Sequence, residues 1–151
     1  MKVIVLPRRA AERFTRKTPW AHIAITDPAP NGWLAQRPCP RLRERLHLQF
    51  MDVTPEDFER NPAFRSLEPF LFDAEQAGQI IAFLEKHKTE ALDWVVSCEA
   101  GISRSSAVAN FVLDYFGLAQ RRFGPPRYQP NPYVYNQLHQ KGRLKMKYSK
   151  L

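Results

Sequence analysis

The stretch Val95-Val96-Ser97-Cys98-Glu99-Ala100-Gly101-Ile102-Ser103-Arg104-Ser105-Ser106 decides the fold of this chain. Its apolar beginning predicts a buried strand that ends at a cysteine, and a short turn with one glycine then leads into a helix. The N-terminus of a helix and the consecutive N–H groups of a tight loop both bind anions. Residues 95–106 therefore predict a strand, loop and helix that together hold a phosphate.

Two side chains of this loop are suited to chemistry on that phosphate. Cys98 lies where the N–H groups converge, and a thiolate is stabilised and nucleophilic at a helix N-terminus near a guanidinium group. Arg104 follows in the first turn of the predicted helix, and its planar guanidinium can bind two phosphate oxygens at once. The pattern indicates nucleophilic attack on phosphorus.

The pattern Cys98-x-x-Gly101-x-x-Arg104-Ser105 resembles the Cys-x5-Arg loop of the cysteine-dependent protein tyrosine phosphatases, most closely the small dual-specificity type. The resemblance implies that Cys98 forms a cysteinyl-phosphate, Arg104 binds phosphate and the transition state, and Ser105 donates to the leaving thiolate. It implies a protein phosphatase that needs no cofactor and no metal. The implied phosphate-binding loop comprises Glu99, Ala100, Gly101, Ile102, Ser103 and Arg104.

The loop departs from the family pattern at two places. The family usually has histidine directly before the cysteine, whereas this chain has Ser97, so the hydrogen-bonded support of the loop must come from another residue. Lysines flanking the glycine mark the inositol-phosphate branch of the family, and here Glu99 and Ile102 occupy the loop instead. Phosphoinositides are therefore not the favoured substrates.

Asp52 is the candidate general acid. Phosphoryl transfer to cysteine expels an alkoxide or phenoxide that needs a proton, and a carboxylic acid at the rim of the pocket can supply it. In the family this role belongs to an aspartate that follows a strand upstream of the cysteine, and Asp52 follows a predicted strand at a longer spacing than usual. Asp57 and Asp73 are the alternatives, although each is also predicted to cap a helix.

The remaining sequence alternates between the patterns of strands and helices. We predict strands over 2–6, 21–26 and 46–51, and helices over 8–16, 74–91, 103–116 and 131–140. The order predicts a single α/β domain with a central, mainly parallel sheet of four or five strands and helices on both faces. Residues 1–151 are expected to form one phosphatase-like domain, in which 141–151 are a basic, partly mobile tail.

Composition restricts the setting in which this chemistry would occur. The chain of 151 residues is about one domain long. Its two cysteines, Cys39 and Cys98, form no disulfide framework and no metal-binding spacing, which suits a reducing, cytoplasmic location. Neither a signal peptide nor an apolar run long enough to cross a membrane is evident, so no membrane partner is predicted.

The charge of the chain points to an anionic partner. The formal net charge is +8, and we expect a phosphorylated protein or peptide as substrate, with phosphate or another oxyanion in the loop. Nucleic acid is not favoured, because no nucleic-acid fold signature is present. Three alternatives stay open: a module that binds phosphorylated partners without turnover, a rhodanese-like sulfurtransferase using the same cysteine, and an RNA 5′-phosphatase.

Overall fold

The computed structural model describes residues 1–149 apart from Asn31, Trp33, Gln36 and Pro38, and it describes side chains as far as Arg143. The elements alternate between strands and helices along most of the chain. In order, they are β1 (Val3–Pro7), α1 (Arg8–Glu12), β2 (Trp20–Thr26), β3 (Leu42–Gln49), α2 (Pro55–Arg60), a 3-10 helix (Pro62–Phe70), α3 (Ala74–Lys86), β4 (Asp93–Cys98), α4 (Arg104–Phe116) and α5 (Pro132–Ser149).

The described strands form one four-stranded, fully parallel sheet in the order β1-β4-β2-β3. The predicted α/β class and the mainly parallel sheet are confirmed. β4 lies between β1 and β2, and Val96 pairs with Val5 on one side and with Ile23 on the other. All six residues of β4 are buried, as expected for a central strand of a parallel sheet that is covered on both faces. Cys98 thus lies at the carboxyl end of a central strand, where open α/β sheets bind their ligands.

The main hydrophobic core lies between one face of this sheet and the helices α3, α4 and α5. Ile23, Trp94 and Val96 point into this core, together with residues of the three helices. Because side chains alternate along a strand, the neighbouring residues Trp20, His22 and Ser97 lie on the opposite face. Those residues are buried as well, so both faces of the central strands are shielded from water.

The prediction that α5 ends near Gln140 is wrong, because the helix continues through Gly142 to Ser149. Glycine disfavours a helix interior by about 1 kcal/mol, but tertiary packing outweighs that preference here. A Cβ atom at Gly142 would lie 3.7 Å from the Phe111 ring and 4.0 Å from Ile81, so α5 passes close to α4 and α3 at this point. The basic stretch predicted as a tail is therefore helical through Ser149, and residues 150–151 lie outside the described residues.

Other differences concern the ends of elements. β3 begins at Leu42 rather than at residue 46, and α3 ends at Lys86 rather than at 91. α1 is shorter than the predicted helix over 8–16, ending at Glu12. Among the described helices, none combines the length and the apolar character that a membrane span requires.

Candidate active site

The loop between β4 and α4 packs tightly against the end of β1. Gly101 has a φ of +68°, which L side chains rarely adopt. A Cβ atom at this position would lie 2.6 Å from the backbone nitrogen of Pro7, closer than real contacts allow. Both the backbone conformation and the close approach require glycine here, and they hold the loop in a tight turn between Cys98 and Arg104.

Cys98 and Ser105 meet at the base of this loop. The Cys98 Sγ and Ser105 Oγ atoms are 3.0 Å apart, and the two residues are only 2% and 0% exposed. Ser105 lies in the first turn of α4, so its hydroxyl is held beside the sulfur by the helix. A serine hydroxyl in this position can donate a hydrogen bond to a thiolate.

Arg104 is held from one side by the ends of two neighbouring strands. Its Nη1 donates to Asp27 Oδ1 at 2.7 Å and to the Phe50 carbonyl at 2.7 Å. Arg104 is 6% exposed, and its Nε is buried with no hydrogen-bond partner among the described residues. A buried N–H without an acceptor costs about 1–3 kcal/mol, and an anion bound at the loop would satisfy it. The guanidinium is therefore fixed by Nη1, while its Nε has no acceptor among the described residues.

Asp52 lies beside the end of the same loop. Its Oδ1 accepts hydrogen bonds from Ser103 Oγ at 2.9 Å and from Asn131 Nδ2 at 2.9 Å. Within the described residues both bonds end on Oδ1, and Oδ2 accepts none. Asp52 itself is exposed, as a proton donor at the rim of a pocket must be.

The two alternative acids are both used in helix caps. Asp57 Oδ2 accepts from the Thr54 N–H at 2.8 Å in the capping box of α2. Asp73 Oδ1 accepts from the Gln76 N–H at 2.8 Å in the capping box of α3. Of the three candidates, Asp52 is the one whose carboxylate is hydrogen-bonded to the loop between β4 and α4.

Comparisons with known proteins establish the fold. No protein-family model and no curated protein sequence matches the chain. Solved structures do match: human DUSP28 superposes with a TM-score of 0.59 at 17% identity, covering 96% of this chain and 94% of the other. A mouse putative dual specificity phosphatase gives 0.60 at 18% identity, covering 97% and 86%. The human tyrosine phosphatase-like serine/threonine/tyrosine-interacting protein gives 0.58 at 17% identity, covering 95% and 93%.

The chain has the fold of the small dual-specificity phosphatases. At these identities the likeness concerns the fold, while the roles of individual side chains rest on their own geometry. That geometry brings Cys98, Arg104, Ser105 and Asp52 together around one loop of this dual-specificity-type fold. It also adds three residues that the sequence does not single out as functional: Asn131, Asp27 and His22.

Asn131 joins the candidate acid, the loop and the last helix. From the sequence it is predicted only as the cap of α5, and its Oδ1 does accept from the Val134 N–H at 3.2 Å. Its Nδ2 donates to Asp52, and its backbone N–H donates to the Ser103 carbonyl at 3.2 Å. One residue thereby links Asp52, the loop after β4 and the start of α5, with its side chain on Asp52 and its backbone on the loop.

Asp27 follows β2 and belongs to the site through its bond to Arg104. The turn after it is tightly packed, since a Cβ atom at Gly32 would lie 1.6 Å from the Asp27 carbonyl oxygen. Thr26 Oγ1 and Gln49 Nε2 both donate to the Gly32 carbonyl, at 2.9 and 3.0 Å. These bonds hold the turn and so the carboxylate that orients Arg104. The signal in the sequence is its place at the carboxyl end of a strand, the edge that also carries Cys98.

His22 lies on β2, beside the central strand β4 that leads into the loop, and is 1% exposed. Its Nε2 is 2.7 Å from Ser97 Oγ, and Arg45 Nε donates to its Nδ1 at 2.9 Å. Burial lowers the pKa of His22 to about 3, and the neighbouring charges of Arg45 and His47 act in the same direction. The imidazole is therefore neutral throughout the neutral and mildly acidic range.

The buried neutral imidazole predicts how stability responds to acid. Between pH 6.5, its ordinary pKa, and about 3 the unfolded chain binds a proton at His22 that the folded chain does not. The free energy of unfolding should therefore fall as the pH is lowered through this interval, by up to about 1.4 kcal/mol per pH unit from this group. His22→Gln should flatten this dependence in urea unfolding at a series of pH values. An unchanged slope would contradict a neutral buried His22.

Proposed function

We propose that the protein hydrolyses phosphate monoesters through a cysteinyl-phosphate, as a protein tyrosine or dual-specificity phosphatase formed by a single domain across residues 1–151. The Cys98 thiolate attacks phosphorus, the bond from phosphorus to the ester oxygen breaks, and Asp52 protonates the departing oxygen. Asp52 then takes a proton from water, and that water attacks the phosphorus. The bond from phosphorus to sulfur breaks, and Ser105 donates a hydrogen bond to the returning thiolate.

The observation that supports this proposal best is the orientation of Arg104. Its Nη1 is occupied by Asp27 and Phe50, while its buried Nε has no protein acceptor among the described residues. A guanidinium fixed in this way, together with the N–H groups of the loop, can stabilise the charge on the equatorial oxygens of the transition state. Because these groups supply the positive charge, the proposed steps need no metal.

The substrate we propose is a phosphorylated protein or peptide, which suits the formal net charge of +8. The mouse neighbour was solved in complex with zinc tungstate, which supports an oxyanion as a ligand of this loop. Glu99 and Ile102 stand where the inositol-phosphate branch has lysines, so phosphoinositides are not the class we favour. A catalytic thiolate requires a reducing compartment, and we place the protein in the cytoplasm on that ground.

Hydrolysis of para-nitrophenyl phosphate in the presence of a chelator tests the proposed class. We expect turnover that the chelator does not affect, and turnover of phosphotyrosine and phosphothreonine peptides. Binding of tungstate without any turnover would instead indicate a module that binds phosphorylated partners. Formation of thiocyanate from thiosulfate and cyanide would indicate a sulfurtransferase, and selective release of phosphate from 5′-triphosphorylated RNA would indicate an RNA 5′-phosphatase.

The role of Asp52 can be separated from that of the other two acids. In Asp52→Asn we expect kcat on para-nitrophenyl phosphate to fall by about 100-fold, because the second step loses its base. Nitrophenol is a good leaving group, so a burst of product should precede slow turnover. Alkyl phosphates should show no burst, since their leaving oxygen needs the acid in the first step.

Matched controls exist at the two capping aspartates. Asp57→Asn and Asp73→Asn retain side chains that can cap α2 and α3, so both variants should keep wild-type kcat. Rapid-quench kinetics on all three variants provides the measurement. If kcat fell in Asp57→Asn or Asp73→Asn and stayed at the wild-type value in Asp52→Asn, the general acid would be the residue whose substitution lowered kcat.

A further inference from the structure

A buried chain of hydrogen bonds crosses three neighbouring strands on the sheet face opposite the main core. It begins at Arg45 on β3, passes through His22 on β2 and ends at Ser97 on β4, directly before Cys98. His22 and Ser97 are 1% and 2% exposed, so the bond between them is shielded from water, whereas Arg45 at the start of the chain is only partly buried. A polar chain this deep in a sheet costs desolvation, and it requires every donor and acceptor to be matched.

The chemistry of the three groups fixes the direction of each bond. A guanidinium only donates, so His22 Nδ1 accepts from Arg45 and carries no proton. The imidazole is neutral, and its one proton is therefore on Nε2. The Nε2–H must then donate to Ser97 Oγ, 2.7 Å away. Because Ser97 accepts at this side, its own hydroxyl proton points away from His22.

We propose that this chain is a positioning device for the phosphate-binding loop: Arg45 sets the tautomer of His22, and His22 fixes the orientation of the Ser97 hydroxyl directly before Cys98. The inference rests on the proposed function, because it assigns a role in preparing Cys98 for attack. Neither His22 nor Arg45 touches the substrate. The imidazole belongs to the neighbouring strand β2 and acts on the loop through Ser97.

The register of the sheet connects the Arg45–His22–Ser97 hydrogen-bond chain to the loop. Ser97 pairs with Leu6 of β1 and with Ala24 of β2, and Cys98 pairs with Pro7. The same Pro7 backbone lies against Gly101 in the middle of the loop. A fixed Ser97 side chain therefore orders the point where the central strand turns into the loop, on the side that the main core does not reach.

Arg45→Met provides the most selective test, since Arg45 is only partly buried and its hydrogen bond is to His22. Nitrogen NMR of the wild type should show the proton of His22 on Nε2. In Arg45→Met the Nδ1 loses its donor, and we expect the proton to redistribute between the two nitrogens. The rate at which iodoacetate alkylates Cys98, followed by peptide mass spectrometry, should fall about tenfold with the loss of one oriented hydrogen bond. The kcat on para-nitrophenyl phosphate should fall by the same factor, with little change in KM.

Arg43 offers a matched control two positions earlier on the same strand. It is exposed, and its ion pair is with Glu90 at 3.8 Å rather than with His22. Arg43→Met should leave the His22 tautomer, the alkylation rate and kcat unchanged. A comparable fall of the alkylation rate and kcat in Arg43→Met would show that removing any positive charge from β3 has this effect, and it would overturn the inference.

Ser97→Ala keeps the inference falsifiable should Arg45→Met fold poorly. It removes the hydroxyl that accepts from His22, and we expect the alkylation rate and kcat to fall about tenfold, as in Arg45→Met. In the double variant Arg45→Met/Ser97→Ala the alkylation rate and kcat should fall no further than in either single variant, because each of these variants interrupts the same hydrogen-bond chain. Wild-type alkylation in Ser97→Ala, or losses that multiply in the double variant, would overturn the inference.

Failure of the proposed phosphatase function would give different results from failure of the positioning chain. If the wild type turns over no phosphate ester, the tautomer of His22 and the alkylation of Cys98 can still be measured. A response of both to Arg45→Met would then support the positioning chain while refuting the phosphatase. Wild-type turnover with neither readout responding would refute the positioning chain alone.

Discussion

Replacement of Cys98 with serine should abolish turnover of para-nitrophenyl phosphate, with a loss of at least about 10⁴-fold, and should leave the binding of tungstate in place. The hydroxyl of serine is a far weaker nucleophile than a thiolate at the pH of the assay. The groups proposed to bind the anion, the loop N–H groups and Arg104, do not change. Steady-state kinetics and isothermal titration with tungstate measure the two halves of this prediction.

The second cysteine serves as the control for this variant. Cys39 precedes β3 and lies outside the loop, so Cys39→Ser should retain wild-type kcat. Residual turnover in Cys98→Ser above about one part in a hundred of the wild type would exclude a cysteinyl-phosphate route. Loss of tungstate binding in the same variant would mean that the substitution disturbs the loop and would require a second substitution, Cys98→Ala.

Arg104→Lys should lower kcat/KM by about 10²- to 10³-fold although the charge is kept. The guanidinium spans three partners at once: Asp27 Oδ1, the Phe50 carbonyl, and the anion expected at its other edge. A lysine ammonium is a single point of charge and cannot bind both strand ends and two phosphate oxygens together. Tungstate should bind more weakly as well, which separates this variant from Cys98→Ser.

Asp27→Asn tests the same contact from its other end. The amide oxygen of the asparagine can still accept from Arg104 Nη1, but the negative charge is lost. We therefore expect kcat/KM to fall by about tenfold or less. Titration with tungstate and pre-steady-state kinetics on both variants give the comparison. An Arg104→Lys enzyme within about threefold of the wild type would contradict a bidentate role for the guanidinium.

The strand, loop and helix around Cys98 could be predicted from the sequence because their determinants are local. An apolar run, one glycine and a helical pattern follow one another within residues 94–116, and the structure places each where the sequence predicts it. The caps at Asp57 and Asp73 are equally local, since each bonds to residues three positions away. Asp52 is predicted from the resemblance, because the family has its acid on an aspartate that follows a strand upstream of the cysteine.

The partners of the loop could not be predicted, because they depend on strand order. Asp27 meets Arg104 and His22 meets Ser97 only because β2 lies next to β4 in the order β1-β4-β2-β3. A single sequence shows that these strands exist, but it does not show which strands are neighbours or in what register. The length of α5 could not be predicted for a similar reason. Gly142 locally predicts a helix end, whereas the packing of α5 near Phe111, which keeps the helix going, is a contact between residues far apart in the sequence.

The covalent intermediate is the most direct measure of the proposed mechanism. Wild-type protein mixed with para-nitrophenyl phosphate and quenched in acid within the first turnover should carry one phosphate, which peptide mass spectrometry should locate on Cys98. The adduct should accumulate further in Asp52→Asn, whose second step is slow, and should be absent from Cys98→Ser. Turnover in the wild type without any phosphate on Cys98, under conditions where Asp52→Asn shows a burst, would contradict the account.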